Sequence, residues 1–345
     1  MSVFEGSVET ESATERKFVV SRPCRGRYAP SPTGHLHLGN ASTALAAWLS
    51  VRSRDGSFVM RMEDLDEGRV RSGLAESILE DLQWLGLDWD EGPDRGGPFA
   101  PYEQSGRAAD YDRAFDDLRA AGRVYPCFCS RKDIAAAASA PQAPGDEARY
   151  PGTCRDLGPE EISAKLHDRR PPAWRFRVEP DQALTFVDQV RGGFGLPGGV
   201  PPGDFVIRRM DGVAAYQLAV VVDDAAMGIT EVVRGDDLLP STVRQLILYE
   251  ALGHSPPGFA HVPLLLGPDG ARLSKRHEGV TIRELRDAGL GSREIVGRLA
   301  HLIGLRPTPD PVRATDLIDG FTFDDLVNAP EGIPTDPTTW HPPPS

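Results

Sequence analysis

The chain is poor in cysteine, has no long apolar run and carries fewer positive than negative charges, and each shortage removes a class of protein. Four cysteines in 345 residues are too few for the disulfide framework of a small secreted domain. No stretch approaches the roughly 18 uninterrupted apolar residues of a membrane-spanning helix. Residues 1–24 lack the apolar centre of a signal peptide, so the expectation is a cytoplasmic protein with no membrane role. A formal charge of −13 argues against a protein that coats nucleic acid indiscriminately, because counterion release needs clustered lysine and arginine. A local basic surface is still open. Arg169, Arg170, Arg175 and Arg177, with Trp174 and Phe176 among them, suit either an RNA backbone or a strand with a solvated face.

What is present is an ordinary soluble composition, 40% hydrophobic and 26% charged, in a chain long enough for two or three packed units. Residues 1–24, acidic and rich in Ser and Thr at their start, read as a disordered tail. From Arg25 onward short apolar runs alternate with helical periods. Residues 25–29 and 57–62 read as strands and 40–53 and 73–85 as helices, the last with Leu74, Ile78, Leu82 and Leu85 at helical spacing. This βαβα opening predicts an α/β fold, a Rossmann-type doubly wound parallel sheet. Its first half covers 25–99. Residues 100–203 read as an inserted α+β subdomain, with a helix over 103–121, an Ala/Pro/Gly loop at 135–145 and strands over 174–178 and 184–187. A further strand is expected at 205–209. The second half of the sheet, 204–267, is expected to resume with strands at 214–222, 230–233 and 262–266 and a helix at 239–252. Residues 268–345 hold a cationic loop, a helix at 293–302 and a Pro-rich end, which makes a short helical C-terminal region.

The most informative segment runs from Arg27 to Asn40, Arg-Tyr-Ala-Pro-Ser-Pro-Thr-Gly-His-Leu-His-Leu-Gly-Asn. Pro30, Pro32 and Gly34 punctuate a turn, and Gly39 and Asn40 open an Ala-rich helix whose first N–H groups would face an anion. A plain surface turn is the bland alternative. His35 and His37 share one side while the chain is extended, and His37 is the one expected at the ligand. A second cationic loop, Arg272-Leu-Ser-Lys-Arg276, suggests a nucleotide gripped from two sides. Glu63, Asp64 and Asp66 read either as part of that site or as a solvated acidic strand end.

Cys127-Phe-Cys129 and Tyr150-Pro-Gly-Thr-Cys154 place three thiols on two turns. Zinc favours four tetrahedral ligands, so a structural zinc site is expected, with Tyr150, His167 or water as the fourth donor. Three buried cysteines without metal is the alternative. Cys24 stands apart as a free thiol.

Five motifs in order, the Arg27 segment, Arg61-Met-Glu-Asp-Leu-Asp66, Ala215-Tyr-Gln-Leu-Ala-Val-Val-Val-Asp-Asp224, Val233-Arg-Gly-Asp236 and Leu273-Ser-Lys-Arg-His277, resemble the glutamyl subgroup of class I aminoacyl-tRNA synthetases. His37-Leu-Gly-Asn40 falls on the family's HIGH position and Arg272–Arg276 on its KMSKS position, each with departures at the outer residues. The resemblance implies activation of L-glutamate with Mg2+ and ATP. Catalysis would rest on His37 and Lys275, since an ionised carboxylate attacking the α-phosphate needs alignment and charge stabilisation rather than a base. By the same resemblance Arg27, Ser31, Glu63, Tyr216 and Arg234 contact glutamate, and Pro30, His37, Gly39, Asn40, Arg272, Ser274 and Lys275 contact ATP. Cys127, Cys129, Tyr150 and Cys154 match the zinc ligands of one short branch of the family.

Two further features resemble that branch. Too few residues follow Arg276 for a conventional helical anticodon-binding region, and Val220 stands where conventional enzymes tend to carry Asn. Members of the short branch transfer glutamate to the cyclopentene-diol of queuosine in the anticodon of tRNA(Asp), and the expectation is a monomer that does the same. An ordinary or truncated synthetase charging the tRNA 3′ end and a catalytically silent RNA-binding paralogue are the alternatives.

Overall fold

The computed structural model describes residues 23–66, 68–130, 132–134, 149–167, 171–180, 182, 184–267, 270, 273, 280–327 and 332–340. Strand β1 (Arg25–Tyr28) leads through the Pro/Gly turn into helix α1 (Leu38–Arg52), which returns the chain to β2 (Ser57–Met60) beside β1; α2 (Leu74–Trp84) follows. A short 3-10 turn at Gln104–Arg107 opens α3 (Ala108–Ala120). The inserted region then runs β3 (Val124–Cys127), α4 (Pro159–His167), β4 (Ala173–Phe176), β5 (Thr185–Asp188), β6 (Gly192–Gly195) and β7 (Phe205–Arg208). After it come α5 (Tyr216–Ala226), β8 (Glu231–Gly235), α6 (Leu239–Ala251) and β9 (Gly258–Val262). The C-terminal part carries β10 (Leu264–Leu266), α7 (Ile282–Asp287), α8 (Ser292–Leu302), α9 (Asp324–Val327) and β11 (Gly332–Pro334).

The central sheet has the order β2-β1-β8-β9, and every pair in it is parallel. Parallel strands need crossover connections and bury both faces. Strand β2 shows this directly, since Phe58 and Met60 enter the core under α1 while Val59 enters the core shared with α3, α5 and α6. Helix α1 is rich in Ala and buried nearly all round because it lies across β1, β2 and β8. Gly26 makes that approach possible, for a Cβ there would sit 2.4 Å from Val51 Cγ2.

The inserted region is antiparallel. Strands β3, β4 and β7 form one sheet, and β5 and β6 form a hairpin that packs on β9. Strand β7 lies just beyond position 203, so the antiparallel sheet reaches further than the expected insertion.

Two element assignments require correction. Residues 214–222 are not a sheet strand; from Tyr216 they are the first part of α5, whose buried run Gln217–Asp224 packs against α3, α6 and β7. A short continuous apolar run fits a buried strand and a buried helix equally. Residues 262–266 are two strands, because Pro263 has no N–H for the ladder. Val262 ends β9, while β10 leaves the main sheet to pair in parallel with β11. Among the described residues no helix is long and apolar enough to cross a membrane. Residues 1–22 of the predicted tail over 1–24, the loop at 135–145 and Arg272, Ser274, Lys275 and Arg276 lie outside the described residues.

Candidate active site

A cavity of about 470 Å³ opens at the C-terminal ends of β1 and β8, where a parallel sheet presents its ligand crevice. Its floor and sides include Arg27, Pro30, Ser31, His37, Gly39, Asn40, Glu63, Tyr216, Arg234, Leu265 and Leu273. The start of α1 forms part of the wall. His37 caps this helix, its Nδ1 accepting from the Asn40 N–H at 3.3 Å. No acidic residue occupies the first turn, so the positive end of a 15-residue helix is left for an external anion. Gly39 keeps that turn low: a Cβ on it would lie 3.3 Å from the His37 ring. His35 turns away to Ser77 Oγ on α2, 2.8 Å from its Nδ1.

Beneath the cavity lies a buried charge network. The Arg61 guanidinium is fully buried and donates to Asp224 at 2.7 Å and to Glu63 at 3.2 Å, with Asp223 at 3.7 Å. Asp223 also accepts from Gln104, Arg107 and Tyr111. Arg27 reaches Asp224 at 3.4 Å. Burial would push the Asp224 carboxyl up, but Arg61 and Arg27 more than offset it and hold the group below its ordinary value. Glu63 is different. Burial dominates there and raises its pKa, with Arg61 and Arg27 opposing only in part. Tyr216 is raised by burial as well.

Arg234, on β8, is 4% exposed and, among the described residues, has no carboxylate partner within hydrogen-bonding distance. Its Nη2 donates to Thr242 Oγ1 at 2.8 Å and its Nε to His261 Nε2 at 3.0 Å, whereas its buried Nη1 has no hydrogen-bond partner. Burial lowers its pKa, with Arg27 adding to the effect. A buried unpaired donor is costly, and an acceptor atom of a bound ligand would satisfy it.

A second constellation lies in the inserted region. The sulfurs of Cys127, Cys129 and Cys154 lie within 4.8 Å of one another. Cys129 Sγ is 3.6 Å from Cys154 Sγ, and the Tyr150 hydroxyl is 3.4 Å from Cys127 Sγ and 3.8 Å from Cys129 Sγ. Sulfurs about 2.3 Å from a tetrahedral ion stand roughly 3.8 Å apart, so the donor set fits a zinc-sized ion. Burial raises the Cys129 thiol to about 11, whereas at Cys154 backbone and Tyr150 hydrogen bonds outweigh burial and lower it. Arg175 stacks 3.8 Å over the Tyr150 ring and donates to Cys127 Sγ at 3.3 Å, which places a cation beside groups that become anionic on binding metal. His167 is exposed on α4 and is not part of the cluster.

The family model for the catalytic domain of class I tRNA synthetases (E and Q) matches residues 23–323. The chain belongs to this family. Its catalytic fold is that of a class I aminoacyl-tRNA synthetase, and its activity is that of a ligase. It is 53% identical over 312 residues to a glutamyl-Q tRNA(Asp) synthetase of Symbiobacterium thermophilum, covering 90% of this chain and 96% of that one. A protein of the same name from Nitratidesulfovibrio vulgaris is 52% identical over 313 residues, covering 90% of this chain and 96% of its own length. A glutamate–tRNA ligase of Sulfurihydrogenibium is 42% identical over 308 residues, but the match spans 89% of this chain and only 64% of the relative. The crystal structure of a glutamate tRNA ligase from Elizabethkingia meningosepticum, in complex with its amino acid, superimposes with a TM-score of 0.78 at 31% identity, covering 92% of this chain and 68% of that one. These relatives support activity of the glutamate–tRNA ligase type.

In this synthetase fold, residues scattered from Arg27 to Arg234 in sequence are brought to one cavity: Arg27, Pro30, Ser31, His37, Gly39, Asn40, Glu63, Tyr216 and Arg234 all line it. Of the second cationic loop only Leu273 is described; its N–H bonds Leu265 O at 2.9 Å, and it is buried on the cavity wall. Past that loop, Leu38 N–H bonds Val280 O and Ile282 N–H bonds Leu36 O, so the loop's far end is tied to the His37 segment. Sequence reasoning missed the support beneath the cavity: Asp223 with Gln104, Arg107 and Tyr111, and His261 with Asp188. The adjacent Asp223-Asp224 pair closing an apolar run was the available signal. Nothing local marked His261.

Proposed function

We propose that the chain activates L-glutamate with ATP, without needing tRNA, and transfers it to the cyclopentene-diol of queuosine in the anticodon of tRNA(Asp). In the first step a glutamate α-carboxylate oxygen attacks the α-phosphorus of ATP and pyrophosphate leaves, giving glutamyl-adenylate. In the second a diol hydroxyl attacks the adenylate carbonyl, loses its proton and displaces AMP, leaving an ester. The observation that carries the reading is Arg234, a cation with one buried nitrogen unpaired, in the same cavity as Arg27, Glu63 and the free end of α1. Arg27 and Arg234 take the two carboxylates, Glu63 takes the ammonium, and Ser31 and Tyr216 complete the amino-acid pocket. A charge-assisted bond contributes about 1.5–3 kcal/mol, enough for such a pair of arginines to favour glutamate over glutamine strongly. His37, with Pro30, Gly39 and Asn40 at the helix start, aligns the phosphates, Arg272 and Ser274 contact ATP, and Lys275 offsets the charge of the departing pyrophosphate.

Mg2+ accompanies ATP. Cys127, Cys129, Tyr150 and Cys154 would hold one structural zinc, which fixes the two turns of the inserted region; the division into a catalytic domain split around that region, and action as a monomer, belong to the same reading. Support for the acceptor comes from relatives named for it that match over 96% of their own length. The test compares labelled glutamate transfer to tRNA(Asp) bearing queuosine, the same RNA with guanosine at that position, and tRNA(Glu). Labelling of the first alone is expected. Charging of tRNA(Glu) or of the guanosine form would overturn the acceptor and favour an ordinary glutamyl-tRNA ligase.

A further inference from the structure

Three residues far apart in sequence form a buried line from the inserted hairpin to the cavity. Asp188 ends β5, His261 lies on β9 and Arg234 lies opposite His261 in the β8–β9 register. Asp188 Oδ2 is 2.6 Å from His261 Nδ1, and His261 Nε2 is 3.0 Å from Arg234 Nε. Asp188 and His261 have fully buried side chains. An arginine Nε–H can only donate. His261 Nε2 must therefore accept, the ring proton must sit on Nδ1, and Asp188 must receive it.

We infer that Asp188 and His261 are positioning residues that lock the Arg234 guanidinium for its carboxylate ligand while leaving its charge unspent. This rests on the assignment of Arg234 to glutamate. A carboxylate bonded directly to Arg234 would neutralise it, as Asp224 engages Arg61 and Arg27. Here the negative charge stands one imidazole away, and the three acceptors on the guanidinium, His261 Nε2, Thr242 Oγ1 and the Leu238 carbonyl, are all neutral. Only Nη1 is left to pair. Burial, with the neighbouring Arg234 adding to it, lowers the His261 pKa although Asp188 opposes, so the ring is neutral at physiological pH.

The backbone also fixes which Asp188 oxygen does this. Oδ1 accepts the N–H groups of Val190 at 3.0 Å, Arg191 at 2.9 Å and His261 at 3.1 Å, so only an oxygen can occupy that place. In Asp188→Asn the amide oxygen must take it, and the NH2 group must face His261 Nδ1. The imidazole would then carry its proton on Nε2, pointed at the Arg234 N–H. The substitution thus reverses a tautomer with almost no change of shape.

The experiment pairs long-range 1H–15N NMR of histidine-labelled protein with glutamate-dependent ATP–pyrophosphate exchange. Wild type should show the Nδ1–H form of His261 and Asp188→Asn the Nε2–H form. The variant's KM for glutamate should rise roughly tenfold or more, with the KM for ATP unchanged and kcat less affected. An Nε2–H or doubly protonated ring in wild type at pH 7 overturns the inference, and this spectrum decides it even if the variant does not fold. A switched tautomer with an unchanged glutamate KM also overturns it. Arg234→Ala separates the two levels. If that variant keeps wild-type glutamate KM, the functional reading itself fails; if it loses glutamate affinity while Asp188→Asn does not, only the relay fails.

Discussion

Replacing Arg61 with methionine tests how the floor of the cavity sustains its chemistry. The side-chain stem keeps much of its volume, but the fully buried guanidinium vanishes from between Asp224 at 2.7 Å, Glu63 at 3.2 Å and Asp223 at 3.7 Å. Asp223 keeps Gln104, Arg107 and Tyr111, and Asp224 keeps Arg27 at 3.4 Å. Glu63 loses its ion-pair partner. Removing one member of a buried pair typically costs about 3–5 kcal/mol, a large share of a total stability of about 5–15 kcal/mol. Glu63 is already raised by burial with Arg61 the largest opposing influence, so in the variant its carboxyl rises further and takes up a proton nearer neutrality. A neutral carboxyl no longer matches an ammonium group. Losing that charge-assisted bond is worth about 1.5–3 kcal/mol, or roughly 10- to 150-fold in KM for glutamate. Urea unfolding reads the first figure and ATP–pyrophosphate exchange the second. Higher pH re-ionises Glu63, so the variant's KM should fall as the pH is raised, and by more than that of wild type, in which Arg61 opposes the effect of burial. A stability loss under about 1 kcal/mol together with a wild-type KM at pH 7 would refute the reasoning.

Other outcomes follow from the same contacts. The folded His261 has a lowered pKa, so on acidification the unfolded chain takes up the proton first and stability falls below about pH 6.5, by at most about 1.4 kcal/mol per pH unit. Asp188, Arg234 and Asp237 are the charged groups acting on it, and His261→Gln should flatten this part of the pH profile measured by urea unfolding. Cys154→Ser should weaken zinc binding, measured by chelator competition, without altering glutamate KM directly; unchanged affinity would remove Cys154 from the ligand set. In Gly297→Ala the new Cβ would lie 2.1 Å from Asp310 O, and a loss of about 1–3 kcal/mol is expected in denaturant unfolding. Thr281 and Glu284 form a capping box at the start of α7, so Thr281→Ala should cost about 0.5–2 kcal/mol by the same measurement.

The opening of the fold was legible because its punctuation is local. Proline and glycine mark the turn after β1, and α2 declares its buried face through Leu74, Ile78 and Leu82. Helix α5 was not legible, since Leu218 to Val222 is buried on all sides and shows no polar stripe from which to read a period. Pro263 did announce a break, but which strand it would divide depends on a partner, β11, far along the chain. The cavity's lining could be named from motifs in order, whereas its support could not. Asp188 and His261 are separated by 73 positions and sit in ordinary strand sequence, so only the packing of the hairpin on β9 brings them together. Arg61 and Glu63 share one motif, yet the burial that raises Glu63, and that the Asp224 and Asp223 carboxylates overcome at Arg61, is encoded by no local pattern.

The pairing of β10 with β11 bears on how the enzyme is made. Leu264 and Leu265 on β10 line the cavity, and the strand beside them, Gly332–Pro334, is synthesised long after every other residue of that wall. A ribosome that has delivered the whole parallel sheet still presents an unpaired β10 edge at the cavity rim. That edge can gain its strand only once residues 332–334 have been made, so this wall of the crevice is completed after the sheet that carries the rest of it.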